Sequence, residues 1–243
     1  MNKRRRFTTI WLSVGVLLLA GTSRAQTRPP IVEQLAKTYG LDSYGQIEAV
    51  RYTFNIEIPG LNLSRSWVWE PKTGQVSYEG KDKDGKAVKA TYLRSQLSSQ
   101  PANVKDEIEP AFVNDNYWFI FPFHVYWDTS ANVEEKDKQK LPIGKGTAKL
   151  VSVKYPAEVG GYTPGDTWDL YLGSEGRVVE FIYRRGGPKK PSNVTTTWSG
   201  YKKAGPLLVS TDHRGTADGK PAHIFFTNVA VKLAGSNTWM DAQ

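Results

Sequence analysis

From Glu48 onward the chain alternates apolar and polar side chains in short runs, each closed by turn-forming residues. Tyr52, Phe54, Ile56 and Ile58 alternate with Arg51, Thr53, Asn55 and Glu57 before Pro59-Gly60, the period of two expected of a half-buried strand. Leu63 to Glu70 carries Trp67 and Trp69 on one face, Lys72-Thr73-Gly74 turns the chain, and Gln75 to Glu79 returns it with Val76 and Tyr78. Ala87 to Arg94 alternates again beyond a turn at Lys81 to Lys86. The pattern resumes over Thr147 to Tyr155, Thr167 to Leu172, Arg177 to Arg185, Asn193 to Trp198, Leu207 to Thr211 and His223 to Leu233. Gly160-Gly161, Ser174-Glu175-Gly176, Gly186-Gly187-Pro188, Gly205-Pro206 and Asp218-Gly219 separate these runs. About ten strands at hairpin spacing predict one large antiparallel sheet, which must curl to bury a face.

Three stretches depart from this rhythm. Pro30 leads into an amphipathic run with Ile31, Val32, Leu35, Ala36 and Tyr39 on one face and Gly40 placed to stop it, which predicts a short helix. Pro101 to Phe112 reads as partly helical and broken at Pro110, with Val104, Ile108 and Phe112 recurring every four residues. Asn114 to Asp128, NDNYWFIFPFHVYWD, then shows neither alternation nor a clean helical stripe, so it predicts a segment buried on several sides and broken at Pro122. Aromatic side chains bury roughly 150–250 Å² each, so this run needs a cover. The expected architecture is mainly β with helical pieces (α+β): a half-open antiparallel barrel whose concave side holds the helical and aromatic segment. Asn132 to Gly146 reads as a long charged connection.

Composition changes the picture at the N-terminus. Lys3, Arg4, Arg5 and Arg6 precede an apolar run from Ile10 to Ala20, and Ser23-Arg24-Ala25 supplies small residues for cleavage before Gln26. That is the pattern of a secretory signal peptide over residues 1–25, leaving 26–243 as a single exported, periplasmic or otherwise extracytoplasmic domain. The run is shorter than the ~20 apolar residues that span a bilayer. Removing it lowers the net charge from +8 to +3, with 27 basic against 24 acidic side chains. Lys136, Lys138, Lys140, Lys189 and Lys190 are interleaved with Glu, Asp or Pro, so nucleic acid is not an expected partner. There is no cysteine, so stability must come from the core.

The order of these motifs carries a resemblance. The N-terminal helix, VRYTF, the RSWVWEPKTGQVSYEG hairpin, NDNYWFIFPFHVYWD, YPAEVGGYTPGDTWDLYLGSEGRVVEFIYRRGG, TTTWSGYKKAG and HIFFTNVAVK together resemble the exported LolA/LolB-like proteins over nearly all of the mature chain. The resemblance implies a half-open antiparallel barrel capped by helices, whose hollow holds an acyl chain in the lipoprotein carriers. It implies no role in lipoprotein transport for this sequence.

Candidate chemistry is sparse. Trp67, Trp69, Tyr92, Trp118, Phe119, Phe121, Trp127, Trp168, Phe181 and Trp198 are the candidate lining of a pocket for a lipid or other hydrophobic small molecule, and the same rings would equally serve to fill the barrel. His124, His213 and His223 have no metal-binding spacing, and His124 between Phe123 and Val125 reads as a hydrogen-bonded core residue. Asp82-Lys83-Asp84-Gly85 lacks the further ligands of a calcium loop and reads as a hairpin turn. Asp166, Asp169 and Glu180 form the one carboxylate set that glycoside hydrolysis could use, although Asp169 beside Trp168 and Leu170 falls where an outward acid is expected. Tyr162 to Asp166 reads as a turn. The expectation is a non-catalytic envelope binding protein without metal or cofactor. An envelope protein is a further possible partner. The alternatives are a structural or protein-interaction module with a filled core and, third, an envelope lipid or glycan hydrolase.

Overall fold

The computed structural model describes residues 28–82, 84–158, 163–187 and 190–243. The signal segment, the Gly160-Gly161 turn, Tyr162, Lys83 and Lys189 therefore lie outside the described residues. The chain runs through α1 (Pro30–Thr38), α2 (Leu41–Tyr44), β1 (Ile47–Ile58), β2 (Leu61–Glu70), β3 (Gln75–Lys81) and β4 (Ala87–Leu93) to α3 (Glu109–Trp127). It continues through β5 (Asn132–Lys140), β6 (Thr147–Lys154), β7 (Thr167–Leu172), β8 (Val178–Arg184), β9 (Asn193–Thr197), β10 (Lys202–Ala204), β11 (Leu207–Val209), β12 (Asp212–Ala217), β13 (Lys220–Leu233) and β14 (Trp239–Asp241).

One 12-stranded antiparallel sheet has the order β4-β3-β2-β1-β13-β12-β9-β8-β7-β6-β5, with β14 beside β13. The path ends at β4 and β5, so the sheet is open. Its curvature follows from what touches α3. Phe112 packs on Trp67 of β2 and Trp118 packs on Trp168 of β7, two strands six spacings apart in the sheet order. Six spacings span about 29 Å in a flat sheet, whereas a helix with its side chains is only ~10–12 Å across. The sheet must therefore wrap around α3, and the inward residues of both arms join one continuous core with it.

The helical segment is longer than its prolines suggest. Helix begins at residue 102, passes through a π turn at Val104–Ile108 and continues into α3. Pro110, the second residue of α3 and just beyond the π turn, does not break it. Pro122 lies inside α3 and distorts it at Ile120 (φ −129°, ψ 34°) without ending it. α1 lays Ile31, Val32, Leu35 and Ala36 into the core and packs against α3. Gly40 follows it with φ 106°, and a Cβ there would lie 2.5 Å from Pro206 O, so only glycine fits.

The expected count of strands was low. Residues 132–140 form the edge strand β5 rather than a connection. Its Glu and Lys side chains hid the period of two, and charges of this kind also protect an open sheet edge from further pairing. The run expected over Leu207 to Thr211 is shorter, and a strand that was not expected follows it. Leu207–Val209 pairs with β10 outside the main sheet, and Asp212 to Ala217 forms β12. Among the described residues no helix is long and apolar enough to cross a membrane.

Candidate functional site

The N-terminal half of α3 is held to one arm of the sheet by two buried carboxylates. Asp115 is completely buried and receives Arg65 Nε (2.7 Å), Trp67 Nε1 (2.9 Å) and Asn114 Nδ2 (3.0 Å). Burial pushes the Asp115 carboxyl upward, against the opposing pull of Arg65. One and a half turns earlier Glu109, also buried, accepts from Tyr92 Oη (2.7 Å) and from Arg94 Nε and Nη2 (3.0 and 2.8 Å). Both arginines belong to the β2–β4 arm, Arg65 on β2 and Arg94 directly after β4.

Toward the other arm α3 presents rings. Phe121 stacks on Trp168 at 4.2 Å, and Trp118 meets Trp168 and Phe181 at 5.1 Å each. Trp198 follows against Phe181 at 5.0 Å, and His213 stacks on Trp198 at 4.3 Å. At the end of α3, Asp128 accepts from Tyr117 Oη (2.6 Å) and Tyr155 Oη (2.8 Å). Burial acts to raise that carboxyl, and hydrogen bonds involving His124 and the two tyrosines outweigh it, so Asp128 titrates below the usual range.

The ten aromatic candidates occupy distinct places in this frame. Trp67, Trp69 and Tyr92 face α3 from the β2–β4 arm, where Phe112 packs against both tryptophans. Phe119 fills the centre, stacked on Tyr52 at 4.3 Å. Phe181 and Trp198 are buried in the opposite wall, and Phe121 of α3 is buried against it. Trp127 is half-buried at the helix end, against Tyr44 and Phe123. Trp118 and Trp168 border an open cleft of about 330 Å³, and Trp67 borders another, of about 390 Å³, beside Tyr52 and Ser77.

The cleft beside Trp118 lies between α3 and the rim of the β7–β8 arm. Pro110, Val113, Asn114, Tyr117 and Trp118 form the helix side, and Thr163, Pro164, Asp166, Trp168, Tyr183, Arg185 and Gly186 the other. The rim depends on glycine: a Cβ on Gly186 would fall 2.0 Å from Gly165 O, so the 163–166 and 185–187 turns can interlock only as they are. Asp166 ties them together by accepting from Tyr183 Oη (2.9 Å) and Gly186 N (2.8 Å). A further opening of about 360 Å³ lies on the opposite flank, bordered by Leu63, Arg65, Tyr78, Asn103, Glu107 and Ala111.

The three carboxylates do not converge. Asp166 is in the rim, while Asp169 is on the outer face of the sheet with Ser152 Oγ and Arg184 Nη1 (2.6 Å each). Glu180, also outward, binds the backbone N–H groups of Ile143 and Gly144 (2.8 Å each) and so straps the 141–146 turn. His124 bonds Asn116 Oδ1 through Nε2 (2.8 Å) at the half-buried end of α3. His223 lies between Asp212 and Glu57 on the outer side, at 2.7 and 3.3 Å. His213 is sealed in the core, where burial lowers its pKa to about 3. Ser210 Oγ donates to Ser199 O, so it accepts from His213 Nε2, and Nδ1 is left unpartnered. Asp82 Oδ1 accepts from Asp84 N and Lys86 N, an Asx-type turn. Among the described residues no three His, Asp or Glu are grouped to hold a metal ion.

No protein-family model matches the sequence, and no curated protein does. Among solved structures the chain is similar to the crystal structure of a DUF1329 family protein from Desulfovibrio piger, at 9% identity and a TM-score of 0.44, over 85% of this chain and 92% of that one. It is also similar to the MucA/MucB complex of Pseudomonas aeruginosa, at 11% identity and a TM-score of 0.22, over 84% of this chain and 93% of that one. Neither likeness is strong enough to carry function across.

Proposed function

We propose that the chain is an extracytoplasmic, non-catalytic binding protein that takes up a hydrophobic, acyl-chain-like ligand through the cleft beside Trp118 and Trp168. The observation that carries this reading is the position of the cleft, which opens on the arm where α3 is held by ring contacts instead of buried ion pairs. The basic head and short apolar run at the N-terminus support export. Rings stacked at 4.2 Å leave no room for a chain between them, so uptake requires the Trp168–Phe181 wall and α3 to part. Each methylene then buried contributes about 0.8 kcal/mol, which offsets the ring contacts given up. His213 meets the requirement of a perturbed titratable group for a hydrolase, but its shift is caused by burial and it does not border the cleft.

The packing around Phe119 and Phe121 favours a second reading, a structural or protein-interaction module with a full core. Titrating delipidated protein with a fluorescent fatty acid separates the two. The binding reading expects saturation at one site and weaker binding by Trp118→Ala. No saturation, with Trp118→Ala reducing only stability, leaves the scaffold reading.

A further inference from the structure

The two walls of the hollow treat their buried polar groups differently. On the β2–β4 arm, Trp67 Nε1 and Tyr92 Oη donate to the helix carboxylates Asp115 and Glu109. On the other arm, Trp168 Nε1, Thr196 Oγ1, Trp198 Nε1 and His213 Nδ1 are buried without a hydrogen-bond partner among the described residues. A buried donor without an acceptor costs about 1–3 kcal/mol, and native proteins hold few of them. The indole N–H groups of Trp168 and Trp198 are such donors, whereas the proton on His213 Nε2 makes Nδ1 an acceptor; an unmatched donor in this wall is a cost that an occupant reaching it could remove.

Trp168 distinguishes itself within that patch. Its ring is 2% exposed, is stacked on Phe121, and also forms part of the cleft lining. The cleft's own carboxylate does not serve it, since Asp166 uses both oxygens on Tyr183 and Gly186. Arg185 adds a cation at the rim. A purely hydrocarbon ligand would leave the indole N–H as it is, whereas one ending in oxygen would satisfy it.

Resting on the binding reading above, we infer that the ligand is an acyl amphiphile whose terminal oxygen, a carboxylate or an ester carbonyl, accepts the hydrogen bond of the Trp168 indole N–H at the floor of the cleft. The chain of that ligand lies against Val113, Trp118 and Phe121, and its polar end meets the unmatched indole N–H of Trp168.

The test is calorimetric titration of the delipidated mature chain with dodecanoate, methyl dodecanoate and dodecane. Both oxygen-bearing probes should bind about 5- to 10-fold more tightly than dodecane, the worth of one hydrogen bond, and Trp168→Phe should abolish that advantage while keeping the ring. Trp239→Phe, on β14 and away from the cleft, should leave all three affinities unchanged. Arg185→Gln identifies the source: weakening of dodecanoate alone indicates a free acid, and equal effects on acid and ester indicate an esterified chain. Equal binding of all three probes by the unaltered protein, or a silent Trp168→Phe, overturns the inference and leaves the binding reading standing. Binding of none of them overturns both.

Discussion

The two arms of the sheet grip the same helix by different chemistry. The β2–β4 arm uses directional, charged contacts: Asp115 and Glu109 enter the sheet's side of the core and each finds an arginine and a ring donor. The β7–β9 arm uses ring faces, Trp168, Phe181 and Trp198 against Trp118 and Phe121, with no ion pair to α3 among the described residues. Ring contacts are each worth only about 0.5–1.5 kcal/mol beyond area burial, and they can slide or separate without leaving a bare charge. Separating a buried ion pair leaves a desolvated charge behind, at several kcal/mol. Parting the helix from the sheet therefore costs more on the first, anchored side than on the second; the cleft beside Trp118 lies on the second, releasable side, and the opening beside Arg65 on the first.

The largest expected effect is on the anchored side. Asp115→Ala strands Arg65, whose side chain is only 16% exposed, and should lower the unfolding free energy by about 3–5 kcal/mol in urea titrations. Glu109→Ala should cost less, about 1.5–3 kcal/mol, because Arg94 is 38% exposed and its freed guanidinium can hydrate. A loss from Glu109→Ala as large as that from Asp115→Ala would mean that solvent access does not distinguish the two pairs.

On the releasable arm, His213 should make stability depend on pH. Its pKa is lowered to about 3 by burial. Between pH 6.5 and 3 the unfolded chain takes a proton that the native state refuses, so stability falls as pH falls, by up to about 1.4 kcal/mol per unit. Comparing unfolding of the parent with His213→Gln from pH 7 to 5 should show the parent losing more, and parallel curves would contradict the buried neutral imidazole. The smallest effect is on the outer face. Asp169→Asn removes a partner of Arg184, itself 44% exposed, and should change stability by no more than about 1 kcal/mol.

Much of the fold was legible in the sequence because period-two alternation reports a half-buried strand directly. β1 and β7 lie where Tyr52, Phe54, Trp168 and Leu170 place them. β5 was missed because an edge strand flanked by solvent can carry a run of charges, as Glu134 to Lys138 does. The aromatic run was read as buried on several sides, and it is, yet its helix was obscured because a helix enclosed all round shows no polar face. One signal was present. Ile108, Phe112, Asp115 and Phe119 follow helical spacing on one face, and an acid in that stripe marks a buried pair. The cleft was less legible, since Thr163, Asp166, Tyr183 and Arg185 meet Trp118 only through the curl of the sheet. Trp118 and Trp168 were within reach of composition alone.

Native-state hydrogen exchange tests the difference between the arms most directly, because β2, β3, β7 and β8 are all interior strands with partners on both sides. The account predicts that amides of β7 and β8, together with Tyr117 to Phe121, exchange through openings of lower free energy than those of β2 and β3. Equal protection of the two arms, or earlier opening of β2 and β3, would contradict it.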